Sequence, residues 1–109
     1  AHVYVFWHEN RIVGVGSISS FWGSLTESIL LTIFVLPEFH GQGIGSNIID
    51  TLESDEFFLR AERIEIPASI TAVEFYRKKG YEYKNGIKAL DDEQHYRLEK
   101  FRKIRQEEW

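Results

Sequence analysis

The order of apolar segments along this 109-residue chain predicts an α/β fold of the mixed α+β kind. A mixed sheet is expected, mostly antiparallel with one parallel βαβ crossover, and helices packed on it. Two observations predict it. Segments rich in β-branched and aromatic residues fill the first third of the chain, with short polar turns between them, and this is how hairpins read. After Pro37 the apolar spacing becomes helical, and helix-like and strand-like segments then alternate, which calls for a crossover and a parallel pair. The length suits one domain, 1–109.

Residues 2–7 (HVYVFW) form the first expected strand, ended by the polar turn His8-Glu9-Asn10. Residues 11–20 form the second, and Gly14 and Gly16 inside it mark a bulge or a close approach by another backbone. Phe21-Trp22-Gly23-Ser24 is a loop. Residues 28–35 (SILLTIFV) are the most apolar segment, which predicts a central strand buried on both faces. From Gly43 a helix is expected to run to about residue 59, with Ile44, Ile48, Ile49 and Leu52 on one face. A short strand over 63–66 follows. Ser69 is placed to cap a second helix that turns Ala72, Val73, Phe75 and Tyr76 inward, and Gly80 stands where a left-handed terminating residue belongs. Residues 81–83 and about 95–101 read as closing strands around the polar loop Asp91-Asp92-Glu93, and 102–109 as a charged tail.

Composition narrows the function. At 43% hydrophobic and 28% charged the chain has a globular balance, so disorder is excluded. Thirteen basic against 17 acidic residues give −4, whereas a nucleic-acid binder carries a basic excess. Cysteine is absent, which excludes a disulfide scaffold, a thiolate metal site and a covalent thioester on the protein. His2, His8, His40 and His95 show no ligand spacing, so no metal is expected. No apolar run approaches the roughly 18 residues of a membrane span, and the N-terminus lacks a signal pattern. The reading is a soluble, cytoplasmic domain. Methionine is absent too, and Ala1-His2 opens straight into a strand pattern, which reads as an internal start, a processed product or a truncation.

The stretch IFVLPEFHGQGIGS (33–46) carries the chemistry. It leaves an apolar strand, passes Gly41, Gly43 and Gly45 at alternate positions, and enters a helix. Free N–H groups at a helix start, the helix dipole and backbone without Cβ atoms together make a seat for a phosphate or pyrophosphate. A tight strand-to-helix turn without a ligand is the plainer reading. A dinucleotide fingerprint fails because Ser46 stands at its third glycine, and the Gly-Lys-Ser/Thr of a P-loop is missing.

The segment VLPEFHGQGIGSNII resembles the acetyl-CoA signature of the GNAT N-acetyltransferase superfamily, Val-x-Pro followed by Arg/Gln-x-x-Gly-x-Gly/Ala. Further on, SITAVEFYRKKGY (69–81) resembles the second signature of that family, Asn/Ser-x-x-Ala-x-x-Phe-Tyr-x-Lys-x-Gly-Phe/Tyr. The resemblance covers about residues 2–101 and implies an acyl-CoA N-acyltransferase-like sheet. It also implies acetyl-CoA as co-substrate, with direct transfer to a primary amine on a small molecule or peptide. By resemblance, Ile33, Phe34 and Val35 lend backbone groups to the pantetheine arm, and Gly41, Gln42, Gly43, Ile44, Gly45 and Ser46 wrap the pyrophosphate. His40 replaces the usual Arg or Gln at the head of that loop. Ser69 stands where many members place an Asn on the cofactor, or it is a helix cap; one hydroxyl serves one partner well. Tyr76 takes the position of the general acid, against the alternative of a core tyrosine.

The general base is open between Glu27 and Glu65, each also readable as a solvated strand-edge carboxylate, with His95 ranked below them because it lies further from the motifs. Phe21 and Trp22 are candidates for an acceptor pocket or for rim packing. A non-catalytic acetyl-CoA-binding module, or an incomplete piece of a longer acetyltransferase, is the alternative function. Family members usually begin with a strand and two helices that have no counterpart here. The expectation is therefore self-association, such as a homodimer, or a parent protein that supplies the segment in cis.

Overall fold

The structure, a computed structural model, describes residues 1–102; the expected charged tail lies outside the described residues from 103 onward. Six strands form one sheet: β1 (His2–His8), β2 (Arg11–Ser20), β3 (Glu27–Val35), β4 (Arg63–Ala68), β5 (Glu82–Tyr83) and β6 (Tyr96–Phe101). Their order is β1-β2-β3-β4-β6-β5, antiparallel throughout except for β3 with β4. Three helices connect them: α1 (Ile44–Leu52), α2 (Glu56–Leu59) and α3 (Val73–Lys78). The mixed sheet with one parallel crossover is as the sequence predicts.

The core lies between the sheet and α1. Ile18, Leu30 and Ile64 from the strands meet Ile48, Ile49 and Leu52 from the helix, all fully buried. Gly14 and Gly16 allow that approach. A Cβ on Gly16 would stand 2.5 Å from Ile48 Cγ2, and one on Gly14 would stand 3.1 Å from Ile44 Cγ2. The closest neighbours are helix side chains, with the Phe34 carbonyl at 3.4 Å from a Cβ on Gly14. The register shifts of β2 fall at these glycines too: between Ile12 and Gly14 against β1, and between Val15 and Ser17, across Gly16, against β3.

One bulge redirects the end of β3. The β2–β3 register passes from Val15–Phe34 to Ser17–Leu31, so β3 carries one extra residue there, and Thr32 adopts a φ of +53°. A β-branched residue in the left-handed region is strained, and the extra residue drops out of the ladder. The bulge sets the facing of the residues around it. Ile33 and Val35 are half-buried, whereas Leu31 and Thr32 are exposed and Phe34 is 52% exposed. The expected burial of β3 on both faces therefore does not hold. Its outer face is open, continuous with exposed Val3, Val5 and Trp7 on edge strand β1 and Ile12 on β2.

The single long helix expected over 43–59 is two. α1 stops at Leu52, and Asp55 starts α2 as its N-cap, its carboxylate accepting from the Phe57 N–H at 2.8 Å. Asp55 is buried and also accepts from the Tyr4 hydroxyl (2.6 Å) and from His2 Nδ1 (2.8 Å), which ties edge strand β1 to the helical layer. Burial alone would raise this carboxyl; the bonds from Tyr4, Phe57 and His2 outweigh it and hold the group below the usual carboxylate range.

The Ser69 cap is also corrected. Helix α3 begins at Val73 with Ala72 as its N-cap, and Ser69 lies one turn upstream, where its carbonyl accepts from the Ala72 N–H at 3.0 Å. Gly80 holds the expected left-handed position (φ +98°) and passes the chain to fully buried Tyr81.

β3 and β4 pair over only three registers, Glu27–Arg63, Ser28–Ile64 and Ile29–Glu65. Beyond them β3 stays with β2 and β4 with β6, so a cleft opens between the two parallel strands.

Candidate active site

From Val35 the chain makes a short 3-10 turn, Pro37–Phe39, and reaches the glycine loop. His40 Nε2 donates to the Val35 carbonyl at 2.9 Å, so the ring ties the loop back to the strand end. Gly41 and Gly43 both take φ +81°, and a Cβ on either would meet nothing within 4 Å. These two glycines supply left-handed turns and leave backbone facing open space. Gly45 differs: its Cβ would stand 3.3 Å from the Phe75 ring, so it is the contact that lets α3 close on α1.

No side chain caps α1. Its N-cap is Gly43, and the first bond into the helix runs from the Asn47 N–H to the Gly43 carbonyl at 3.0 Å. The N–H groups of Ile44, Gly45 and Ser46 therefore have no intrahelical acceptor, and the helix dipole adds positive potential where they lie. They border a groove of about 530 Å³ lined by Ile33, Val35, His40, Gly41, Gly43, Gly45 and Ser46 on one side and Thr71, Ala72, Phe75 and Tyr76 on the other. Phe34 turns its side chain to the outer face, Gln42 donates to the Glu38 carbonyl (3.3 Å), and Ile44 packs toward Gly14. Of the residues named for the cofactor, these three and Ser69 do not line the groove.

A second cavity, of about 340 Å³, occupies the cleft between Leu30–Ile33 of β3 and Ile66–Pro67 of β4, and it also takes in Ser69, Glu93 and His95. Tyr76 lines both cavities. Its ring is 6% exposed and stacks edge-on against Phe75, and burial pushes the phenol up to about 12. Unlike Tyr81, whose hydroxyl donates to Glu53 at 2.8 Å, Tyr76 makes no side-chain hydrogen bond among the described residues. It keeps its proton at neutral pH and has that proton free for a partner in the cleft.

The two carboxylates named as bases are both engaged. Arg63 joins three strands, pairing with Glu27 on β3 (2.8 Å), Glu65 on β4 and Glu99 on β6 (2.8 Å). Glu65 is buried rather than solvated and also meets Lys84 (2.9 Å) and Arg97 (3.3 Å). Burial would raise its carboxyl, but the bonds from Arg63 and Lys84 outweigh that and hold it low, which makes it a poor proton acceptor. A third cavity beside this cluster is lined by Phe21 and Trp22, and Trp22 is 91% exposed at its rim.

Sequence reasoning does not single out Phe39, Thr71, Ala72 and Phe75 as groove residues, and it ranks His95 below the carboxylates. The spacing of Ala72 and Phe75 with Tyr76 on one helix is the available signal. For His95 there is none, because only the β4–β6 pairing brings its loop to the cleft. Among the described residues no cluster of His, Asp or Glu is arranged to hold a metal, and no helix is long and apolar enough to cross a membrane.

Comparison with known proteins gives the same frame. An acetyltransferase from Neisseria gonorrhoeae, N-acetylglutamate synthase in complex with coenzyme A and L-arginine, superposes with a TM-score of 0.73 at 10% identity, over 91% of this chain and 24% of that one. The Bacillus subtilis N-acetyltransferase YlbP in complex with coenzyme A gives 0.69 at 16% identity, over 92% and 67%. A protein of Exiguobacterium sp. 255-15, assigned as an acetyltransferase, gives 0.71 at 22% identity, over 91% and 61%. The chain thus spans less than two thirds of the Neisseria and Exiguobacterium proteins. No curated protein matches in sequence. The model of the acetyltransferase (GNAT) domain matches residues 1–83, the part that holds the uncapped glycine loop, the β3 and β4 walls of the cleft and Tyr76, and the chain belongs to the GNAT acetyltransferase family.

Proposed function

We propose that this domain transfers an acetyl group from acetyl-CoA to a primary amine. One observation carries the reading: an uncapped helix start, fronted by two left-handed glycines, opens into a groove that shares Tyr76 with the cleft between β3 and β4. The residues present fit the co-substrate. The N–H groups of Ile44 to Ser46, with Gly41 and Gly43, would hold the pyrophosphate, and β3 from Ile33 to Val35 would carry the pantetheine arm toward the cleft. When bound, acetyl-CoA supplies an activated acyl group that a neutral amine takes directly as the thiolate departs. Tyr76 faces the departing sulfur and donates its proton there. The bulge at Thr32 turns backbone out of the ladder beside the reacting centre, where an N–H can polarise a carbonyl. Phe21 and Trp22 form the rim over which the amine's substituent lies.

The Gly43→Val variant tests the seat. A branched side chain would stand in the open space that Gly43 leaves, and the φ of +81° would strain it. The expected result is loss of measurable acetyl-CoA binding by calorimetry. Gly43→Asn tolerates the left-handed backbone better and separates strain from blockage. Binding as tight as the parent's in both variants removes the phosphate seat.

For assembly, the proposal is self-association through the β1 edge and the apolar outer face beside it. The edge carries no Lys or Pro, and Val3 and Trp7 are each 62% exposed on it. Light scattering is expected to show a dimer or larger; a monomer at all concentrations, with full turnover, overturns this.

A further inference from the structure

We propose that the proton of the acceptor ammonium goes to His95, positioned by Glu93; this rests on the transferase reading. His95 and Tyr76 line the same cavity, between the parted ends of β3 and β4, so the two ends of one proton traffic share a chamber. The His95 ring is a third exposed (34%), yet its Nδ1 is fully enclosed and has no hydrogen-bond partner among the described residues. A buried, unpartnered ring nitrogen is costly, and the carboxylate that faces it is Glu93, with Oε2 at 3.9 Å. A side-chain rotation of Glu93 closes that gap. Nδ1–H then donates to the carboxylate, and Nε2, the nitrogen left open, carries the lone pair into the cavity.

The backbone holds this pair in place. Asp91 Oδ1 accepts from the Glu93 and His95 N–H groups, each at 2.9 Å, and the Asp91 N–H donates to the His95 carbonyl at 2.8 Å. Arg97 in turn fixes Asp91 at 2.8 Å. The loop is a rigid bracket that presents Glu93 and His95 together.

The other charged and titratable groups around the cavity are committed. Asp91 is held by Arg97, Glu65 by Arg63, Lys84 and Arg97, and Tyr76 carries its proton. Glu93 also gives the chamber a negative charge that favours an acceptor arriving as an ammonium. In the step, the N–H bond of that ammonium breaks and its proton moves to His95 Nε2. The freed nitrogen lone pair forms the C–N bond, the C–S bond breaks, and Tyr76 delivers a proton to the sulfur; the acylated nitrogen then gives its second proton to the Tyr76 phenolate, and His95 returns its proton to solvent.

The test is the pH profile of kcat/KM for CoA thiol release, with putrescine, glucosamine, free lysine and an amino-terminal peptide as acceptors. The parent is expected to lose rate on the acid side, as a reaction that needs a general base does. His95→Gln is expected to fall by about a hundred- to ten-thousand-fold, to lose that acid limb and to bind acetyl-CoA unchanged by calorimetry. Added imidazole is expected to restore part of the rate to His95→Ala, which a merely structural role would not allow. Should the His95 variants lose their fold, Glu93→Gln decides, because Glu93 is exposed: a lower kcat and a displaced acid limb are required. An unchanged rate and profile in His95→Gln, or in Glu93→Gln where that variant decides, overturns the assignment. If the parent binds acetyl-CoA but releases no thiol with any of these amines, it is the transferase reading that fails, and this assignment with it.

Discussion

Replacing Tyr76 by Phe is expected to lower turnover by roughly ten- to a thousand-fold, around the lower end of what a general acid contributes, because a thiolate departs without much help from a proton. The substitution removes one oxygen from a side chain that is 6% exposed, so the packing against Phe75 and the core stays. Acetyl-CoA affinity should change little, and the loss should fall on kcat rather than KM. The effect is also expected to be flat across neutral pH. Burial pushes the phenol up to about 12, so the parent carries its proton through the whole neutral range and loses it only in strong alkali. Undiminished turnover at every pH would leave Tyr76 as a core residue.

Asp55→Ala is expected to cost about 2–3 kcal/mol of stability: about 1 for the lost helix cap, the rest for buried bonds to a charged acceptor. For a domain of this size that lowers Tm by roughly 10–20 °C. The pH dependence has a definite sign. The folded carboxyl lies below its ordinary value, so the unfolded chain binds the proton more readily as the medium is acidified. The stabilisation is complete above the ordinary aspartate range near 3.9 and is lost as pH falls through the lower folded value. Scanning calorimetry of parent and variant should show their Tm values converging in acid. A constant gap would assign the loss to packing alone.

Asp55 also shows where the sequence is legible and where it is not. A Ser54-Asp55-Glu56 step is a helix-start signal, but it sits inside an apolar pattern that spaces Ile48, Ile49, Leu52 and Leu59 as one face, and that pattern masks it. The glycine loop and Tyr76 are legible because their geometry is set by neighbours in sequence. Gly45 is legible as part of the loop, but its contact with Phe75 is not, since the partner lies on another helix. The burial of Glu65 and the place of His95 beside the cleft are hidden for the same reason. Period and spacing show which side of a strand a residue takes, yet the three cations that hold Glu65 come from β4, β6 and the turn after β5. The open outer face of β3 is hidden too: an apolar run reads as buried, and nothing local reports what covers it.

The three-register junction between β3 and β4 also bears on how the protein assembles. β1, β2 and β3 form a meander of successive hairpins whose contacts are local and form early. The junction, in contrast, joins Glu27 to Arg63, 36 positions apart, and must close a long loop containing α1 and α2 for little pairing in return. Its closure is what creates the cleft, so the cavity shared by Tyr76 and His95 is complete only once this non-local pairing has docked. A ligand seated across both cavities would then bind only the docked form and would protect the β3–β4 amides from hydrogen exchange well before it affects those of the meander.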